Sequence, residues 1–373
     1  MPTRSKRIAG LDIAKCIAMF CVVLLHFSFS TRAFPNSLSA NAITSLTAIC
    51  VPLFFAVNGA LLLRKPLDTK KHIQRLLRVV ILALIWRLLT ICFVVVVLGN
   101  TIPSLRDIVF SLLGGNPDGW SLGHFWFLNA LIAIYLFLPA LKALYDASNR
   151  IPLWFVCGTI FVFTSCLDSV KAILEIVDAA DVHNYASLLS ALPALNIFGS
   201  YGYVVLYFVG GALIADVFEG KINNKLAEKL TPNMAIFLSF ISAIWIVVLQ
   251  HFQHVYLGVN FSITYGYWLI PTIILTLMVL YLCMHIQTIK YPSLSRLVTA
   301  LGSSTFGIYM LHFPLIWLFA ELQDTYPMLC FVGMGNIEAL IANICCAVII
   351  FLAAAVLSVV FNRLPIIKIL FNL

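Results

Sequence analysis

The chain has 373 residues, of which 62% are hydrophobic and only 10% are charged, and its mean hydropathy is +1.02. Soluble domains average about 25% charged residues, so this composition excludes an ordinary soluble globular protein. The formal net charge of +8 does not indicate nucleic acid as a partner, because that function needs basic residues clustered on a water-exposed face. Here the positive charge follows the expected membrane topology.

Apolar segments of roughly 20 residues, enough to cross about 30 Å of hydrocarbon, recur along the chain. Clusters of proline, glycine, asparagine and charge separate them. We predict transmembrane helices at about 9–30, 41–63, 75–98, 124–145, 152–168, 201–218, 234–251, 266–288, 302–320 and 337–361. Segments 104–113 and 170–192 are predicted to be amphipathic helices on the outer face. The predicted fold is an all-α integral membrane protein of about ten helices, with residues 1–373 as a single domain and no appended soluble domain.

Lysine and arginine alternate between the predicted loops, and this bias sets the orientation of a membrane protein. With the N-terminus in the cytoplasm, 18 of the 23 basic residues fall on the inner side. The exceptions are three on the outer side and two within helices: Arg32, Arg106 and Lys171, and Lys15 and Arg87. Both termini are therefore predicted to be cytoplasmic.

Ionisable side chains inside a bilayer are costly, so each is a candidate functional group. Asp12, Lys15 and His26 share one face of the first predicted helix, because Lys15 differs from His26 by only about 20° around its axis and Asp12 differs from His26 by about 40°. Lys15 lies near the cytoplasmic surface and His26 about 16 Å further along. These residues also argue against a cleaved signal peptide. The alternatives are an Asp12–Lys15 pair at the interface and a histidine hydrogen-bonded between helices.

The third segment begins with Arg75 and Arg78 on one face at the membrane boundary. Guanidinium groups bind phosphate through two parallel hydrogen bonds, so this pair suits a polyphosphate such as that of coenzyme A. The alternative is a basic loop that only sets topology, and we prefer that interpretation for Lys70 and Lys71. Arg87 lies about 14 Å deeper than Arg78 and needs a carboxylate, a carbonyl or water as its partner.

Two further segments place histidines in the membrane. His124 and Asn129 begin the fourth segment. The aromatic residues of this segment fit an interfacial belt, while His124 and Asn129 could line a sugar site. Tyr309 and His312 share one face of the ninth segment, with His312 near the depth of His26. A catalytic role and a Tyr–His contact between helices explain this pair equally well.

No metal site is predicted from the sequence. The ten cysteines lack CxxC or Cys/His spacing and are interpreted as buried apolar residues. His251 and His254 have no third ligand nearby.

The order of these motifs resembles that of the family-3 membrane acyltransferases, which O-acylate bacterial surface polysaccharides and glycolipids. Lys15 and His26 match the family's basic residue and histidine, with ten residues between them on the first helix. FFAVNGALL, residues 54–62, is similar to its F-F-x-x-S-G, with Asn58 in place of the serine. Arg75-x-x-Arg78 and residues 302–312, similar to S-x-G-I-Y-x-x-H, follow in the family's order. HFWFL, residues 124–128, is similar to the shorter subgroup that includes the enterobacterial common antigen O-acetyltransferase.

The resemblance implies transfer of an acyl group, in the simplest case acetyl, from cytosolic acyl-CoA to a sugar hydroxyl at the outer side of a bacterial inner membrane. Acyl-CoA is then a co-substrate, and no cofactor is permanently bound. The implied donor-binding residues are Lys15, Arg75 and Arg78, and the implied catalytic residues are His26, His312 and Tyr309. Supporting or acceptor-binding roles are implied for Asp12, Asn58, Arg87, His124 and Asn129.

Two questions stay open at the level of sequence. His26 could act as a general base on the sugar hydroxyl or carry the acyl group transiently. The alternatives to glycan acylation are acyl transfer to a non-sugar acceptor and a transporter or polysaccharide exporter. A transporter is disfavoured because the sequence shows no inverted repeat and no pair of broken helices.

Overall fold

The computed structural model describes residues 8–30, 38–117, 122–181, 183–222, 225–258, 266–331 and 333–371. The regular secondary structure of these residues is entirely helical, with no β-strand. The all-α prediction is confirmed for this part of the chain. In chain order the helices are α1 (Ala9–Ser30), α2 (Leu38–Leu46), α3 (Cys50–Leu62), α4 (Thr69–Val96), α5 (Leu105–Leu112), α6 (Trp126–Asp146), α7 (Ile151–Ile160), α8 (Leu167–Asp181), α9 (Gly202–Phe218), α10 (Lys225–Lys229), α11 (Pro232–Leu257), α12 (Ile270–Met284), α13 (Pro292–Thr325), α14 (Asn336–Phe361) and α15 (Lys368–Phe371).

Seven helical stretches of the described chain are long and apolar enough to cross a membrane, namely Ala9–Ser30, Ala42–Leu62, Thr69–Val96, Leu122–Asp146, Pro232–Leu257, Pro292–Thr325 and Asn336–Phe361. α9 and α12 are apolar but have only 17 and 15 residues, about 25 and 22 Å of rise. Most residues of both are buried among other helices, so these two have little surface to offer to lipid. The chain is a multi-pass membrane protein, whereas ten spans and two cytoplasmic termini stay predictions.

The fifth predicted segment is part of a longer helical stretch. α7 continues through six residues in π-helical conformation, 161–166, directly into α8. The predicted amphipathic helix over 170–192 is therefore wrong in its limits, because α8 ends at Asp181 and residues 186–189 form a 3-10 turn. The Asp178 carboxylate accepts hydrogen bonds from the N–H groups of Tyr185 and Ala186, and so turns the chain back against α8. The helix predicted over 104–113 is confirmed as α5, whereas its place on the outer face stays a prediction.

Close contact between backbones holds the centre of the bundle together. A Cβ atom on Gly59 would overlap the backbone oxygen of Phe208, and one on Gly211 would overlap that of Ala56. α3 and α9 can therefore approach only because both glycines lack a side chain, as is common between membrane helices. This contact fixes the rotation of α3 and turns Asn58 towards the cavity described below.

An ionic network joins α3, α6 and α9 at one end of the bundle, which we call the basic end. Arg64 forms ion pairs with Asp216, at 2.9 Å, and with Glu219. The Tyr145 hydroxyl donates a hydrogen bond to Asp216, and Lys142 Nζ donates to the backbone oxygen of Leu63 at 2.7 Å. The network holds the ends of three helices together beside the start of α4.

Cysteine reporters in a variant without the native cysteines test the predicted orientation. Reporters next to Lys70 and Lys225 are expected to resist an impermeant thiol reagent in intact cells, while those next to Arg32, which lies outside the described residues, and Asp178 are expected to react. The reason is the bias of lysine and arginine towards the cytoplasmic side. Permeabilised cells, in which every reporter should react, are the control. Labelling next to Lys225 from outside would overturn the ten-helix topology.

Candidate active site

A cavity of about 540 Å³ lies at the basic end, between α1, α3, α4, α6 and α13. Its lining includes four cationic side chains and one histidine, which are Lys15, Lys65, Lys71, Arg75 and His72. The carboxylate of Asp68 also lines it. The remaining wall is mostly apolar, with the polar side chains Asn58, Tyr135, Ser303 and Thr305. Phe127 and Tyr309 also line it. The cavity thus combines positive charge with a long apolar wall.

The face predicted for α1 is confirmed by its contacts. Asp12 and Lys15 form an ion pair at 3.9 Å, and the Lys15 side chain is 25% exposed. Asp12 is buried against Gly302 of α13, where a Cβ atom would clash with its carboxylate. His26, further along the same face, contacts His312 of α13. Lys15 therefore belongs to an interfacial ion pair and to the cavity wall at once.

Arg75 and Arg78 are both exposed, but they lie on different surfaces. Arg75 lines the cavity, whereas Arg78 lines a separate groove with Leu77 and Ile369. Residues three apart on a helix differ by about 60° around its axis, which is enough to place them on either side of a ridge. The structure therefore brings Arg75 together with Lys15 and leaves Arg78 outside the cavity.

Sequence reasoning missed three basic side chains that line the cavity, those of Lys65, Lys71 and His72. The signal for Lys71 was its spacing, because residues four apart on a helix share a face and Arg75 is four positions further on. The interpretation of Lys71 as purely topogenic does not account for this position. Lys70 is absent from the lining of the cavity and fits that interpretation.

The start of α4 is fixed by Asp68, the residue that caps it. Its carboxylate accepts a hydrogen bond from the Lys71 backbone N–H at 3.1 Å and pairs with Lys71 Nζ at 2.9 Å. The Lys71 side chain and backbone N–H hold the pKa of this exposed carboxyl below its usual value. Asp68 thus sets the direction of the first turn of α4, the turn that carries Lys71 and His72 to the cavity.

Tyr309 separates the cavity from a group of three histidines, two of which, His124 and His312, are buried. Its ring lines the cavity and contacts Phe127 at a centroid distance of 5.2 Å. Its hydroxyl donates a hydrogen bond to the backbone oxygen of His124, and its own backbone oxygen accepts one from Nδ1 of His312. Tyr309 therefore positions two histidines while facing the cavity itself.

The three histidines lie around Phe313. The rings of His26 and His312 are 5.2 Å apart, and those of His124 and His312 are 6.1 Å apart. Phe313 contacts His26 at 4.6 Å and stacks on His124 at 4.2 Å. The three imidazoles are absent from the cavity lining, which ends at Tyr309 on this side. The structure thus brings the predicted catalytic residues together with His124.

His312 is fully buried, and its hydrogen bond determines its tautomer. A carbonyl oxygen only accepts, so Nδ1 carries the proton that binds the Tyr309 backbone and Nε2 of the neutral ring keeps a lone pair. That Nε2 has no hydrogen-bond partner among the described residues. It is a proton acceptor beside the ring of His26.

Arg87 is 2% exposed and finds carbonyl partners, one of the three kinds expected for it. Its guanidinium donates to the backbone oxygens of Ser111, at 2.8 Å, and Gly115, at 3.1 Å, and to Oδ1 of Asn129. Asn129 in turn donates to the backbone oxygen of Gly114. Arg87 and Asn129 therefore hold the loop after α5 against α4 and α6 and do not line the cavity.

Within the described ranges, no group of three or more His, Cys, Asp or Glu side chains could hold a metal ion. The apolar helices and the cation-lined cavity beside buried histidines define a multi-pass membrane protein with a candidate active site inside its bundle. Residues 8–363 match the acyltransferase-3 family, described as an acyltransferase domain, and the chain belongs to that family. It is therefore an acyltransferase, of a kind that generally transfers acyl groups to oxygen. Comparison with curated proteins and with solved structures finds no match.

Proposed function

We propose that this acyltransferase moves an acetyl group from cytosolic acetyl-CoA to a hydroxyl of a cell-surface polysaccharide or glycolipid sugar. The proposal places transfer at the outer side of a bacterial inner membrane, with the basic end in the cytoplasm. The observation that carries it is the cavity, because positive charge and an apolar wall leading to Tyr309 suit a donor with phosphates at one end and a thioester at the other. The motif around His124 favours an acceptor like that of the enterobacterial common antigen enzyme.

In the proposed donor site, the phosphates and the pantetheine arm of coenzyme A contact different parts of the cavity. Arg75 binds a phosphate through its planar guanidinium, and Lys15, Lys65 and Lys71 supply point charges around the remaining phosphates. The pantetheine arm follows the apolar wall past Asn58. Arg78, exposed outside the cavity, is proposed as a secondary contact for the part of the coenzyme that stays at the surface.

The proposed chemistry requires an unprotonated imidazole near the thioester. His26 accepts the proton of the sugar hydroxyl, whose oxygen attacks the thioester carbonyl carbon. The carbon–sulfur bond then breaks, and the thiolate of coenzyme A takes up the proton from the imidazolium. His312 supports His26 from the neighbouring helix, because its ring centroid lies 5.2 Å from that of His26 and its Nε2 has no hydrogen-bond partner among the described residues. In the alternative order of steps, an imidazole nitrogen attacks the thioester first, and the acyl group then passes from this nitrogen to the sugar.

Replacement of Tyr309 by phenylalanine tests its position between donor and histidines. The variant keeps the ring in the cavity wall and loses the hydrogen bond to the His124 backbone. A neutral hydrogen bond contributes about 0.5–1.5 kcal/mol, so we expect kcat to fall about three- to tenfold with KM for acetyl-CoA nearly unchanged. Steady-state kinetics of the purified enzyme measure both constants. An unchanged kcat would remove Tyr309 from the reaction centre.

Release of thiol from acetyl-CoA by the purified protein in nanodiscs tests the proposed donor. A transporter would move its substrate across proteoliposomes without consuming the thioester, and the family assignment already favours the enzyme. Mass spectrometry of surface glycans from deletion and complemented strains tests the acceptor. Loss of O-acetyl groups in the deletion strain is the expected result. Unchanged glycans, together with thiol release, would point to a non-sugar acceptor.

A further inference from the structure

A second cavity, of about 740 Å³, lies at the end of α11 that is remote from the basic end. It is formed by α8, the turn that follows it and the last turns of α11. Its volume falls in the range of about 300–1,000 Å³ that is usual for small-molecule sites. None of its lining residues belongs to the cavity at the basic end.

The charges in this second cavity are largely compensated within it. Lys171 pairs with Glu175 at 3.7 Å. Both carboxylate oxygens of Asp178 accept backbone N–H groups at 2.8 Å, from Tyr185 and Ala186. The cavity therefore has no excess of positive charge that would attract an anion, and the carboxylates of Glu175 and Asp178 would repel an anionic ligand.

Neutral hydrogen-bonding groups make up the rest of the polar wall. Gln250 and Gln253 of α11 are only 4% and 7% exposed, and Nε2 of Gln250 donates to Oε1 of Gln253 at 2.6 Å. That bond leaves Oε1 of Gln250 able to accept and Nε2 of Gln253 able to donate further hydrogen bonds. Asn184, Ser187 and Ser190 add further donors and acceptors from the turn. Buried amides are costly unless they are paired, and a ligand in the cavity would complete their pairing.

We propose that this cavity binds a short segment of neutral carbohydrate. Sugar hydroxyls both donate and accept hydrogen bonds, which matches a wall of amides and hydroxyls with compensated charge. The ring of His183, part of the wall, is stacked on Tyr185 at 5.0 Å and 15°. This aromatic pair beside the cavity is a surface on which the apolar face of a sugar ring can pack.

None of His26, His124 and His312 lines this cavity, so it acts on binding and not on the chemical step. Insofar as the proposed function holds, it retains a distant part of the acceptor glycan while another hydroxyl reaches His26. The carbohydrate binding itself does not depend on that function.

Saturation-transfer NMR on the full chain in nanodiscs tests the proposal with tetrasaccharides of glucose, mannose, galactose, N-acetylglucosamine and galacturonate. We expect at least one neutral tetrasaccharide to bind, and the galacturonate one at least about tenfold more weakly because of Glu175 and Asp178. Gln253→Leu keeps the side-chain volume and should weaken the neutral binding about tenfold, as should Asn184→Ala on the turn. Gln287→Leu makes the same chemical change on an exposed residue at the basic end and should have no effect.

Absence of binding by every neutral tetrasaccharide, or equal binding by wild type and both cavity variants, would overturn the proposal. Thermal unfolding verifies that each variant is folded, and Asn184→Ala does not alter a helix. Thiol release from acetyl-CoA is measured on the same samples. Carbohydrate binding without thiol release would contradict the proposed function alone, and thiol release without carbohydrate binding would contradict only this inference.

Discussion

Replacement of His26 by alanine is expected to lower acetyl transfer by about 10²–10⁴-fold, the contribution that a general base usually makes. His26 lies on the α1 face that packs against α13, with its ring 5.2 Å from that of His312. Removing an imidazole from a membrane interior does not oppose insertion, so expression should stay near wild type. The initial rate of thiol release and the acetylated product, measured on purified protein, determine the loss.

His285→Ala is the matched control, because this histidine is exposed and lies outside the cavity lining. It should keep wild-type activity. Retention of more than about a tenth of the activity by His26→Ala would contradict the general-base role. If the wild-type enzyme accumulates an acyl-protein and His26→Ala does not, His26 would instead be assigned as the residue that carries the acyl group.

Replacement of Arg75 by glutamine is expected to raise KM for acetyl-CoA about ten- to hundredfold with little change in kcat. Arg75 is the arginine that lines the cavity, and a hydrogen bond to a charged group contributes about 1.5–3 kcal/mol, where 1.4 kcal/mol is tenfold. Arg75→Lys keeps the charge and loses the planar fork, so it should restore membrane topology and only part of the affinity. Arg78→Gln should have the smaller effect, because Arg78 lies outside the cavity.

Lys70→Gln is the control for nearby charge, since Lys70 is exposed and does not line the cavity. Lys71 is unsuitable as a control because it lies in the wall. If Arg75→Lys binds acetyl-CoA as well as wild type, or if Lys70→Gln is equally damaging, the arginine serves only topology. The proposed donor pocket would then be abandoned.

The sequence by itself determined where the main helices lie, because a segment that crosses a membrane must be apolar over most of its length. The first helix was predicted at 9–30 and is observed as Ala9–Ser30. Helical periodicity also placed Asp12 and His26 on one face, and both contact α13. Spacing along one helix was sufficient for these results, because the angle between two residues of a helix depends only on the number of positions that separate them.

Only the tertiary structure decided which faces meet and what each one lines. Arg75 and Arg78 are separated because the cavity wall ends between them. Tyr309 stands between the cavity and His312 because α13 packs against α1 and the turn that carries His124. Arg87 finds its carbonyls in the last turn of α5 and the loop after it, 24 and 28 residues away. These outcomes depend on the rotation of each helix against its neighbours, which side-chain packing and close contacts such as Gly59 with Phe208 set across long distances in sequence.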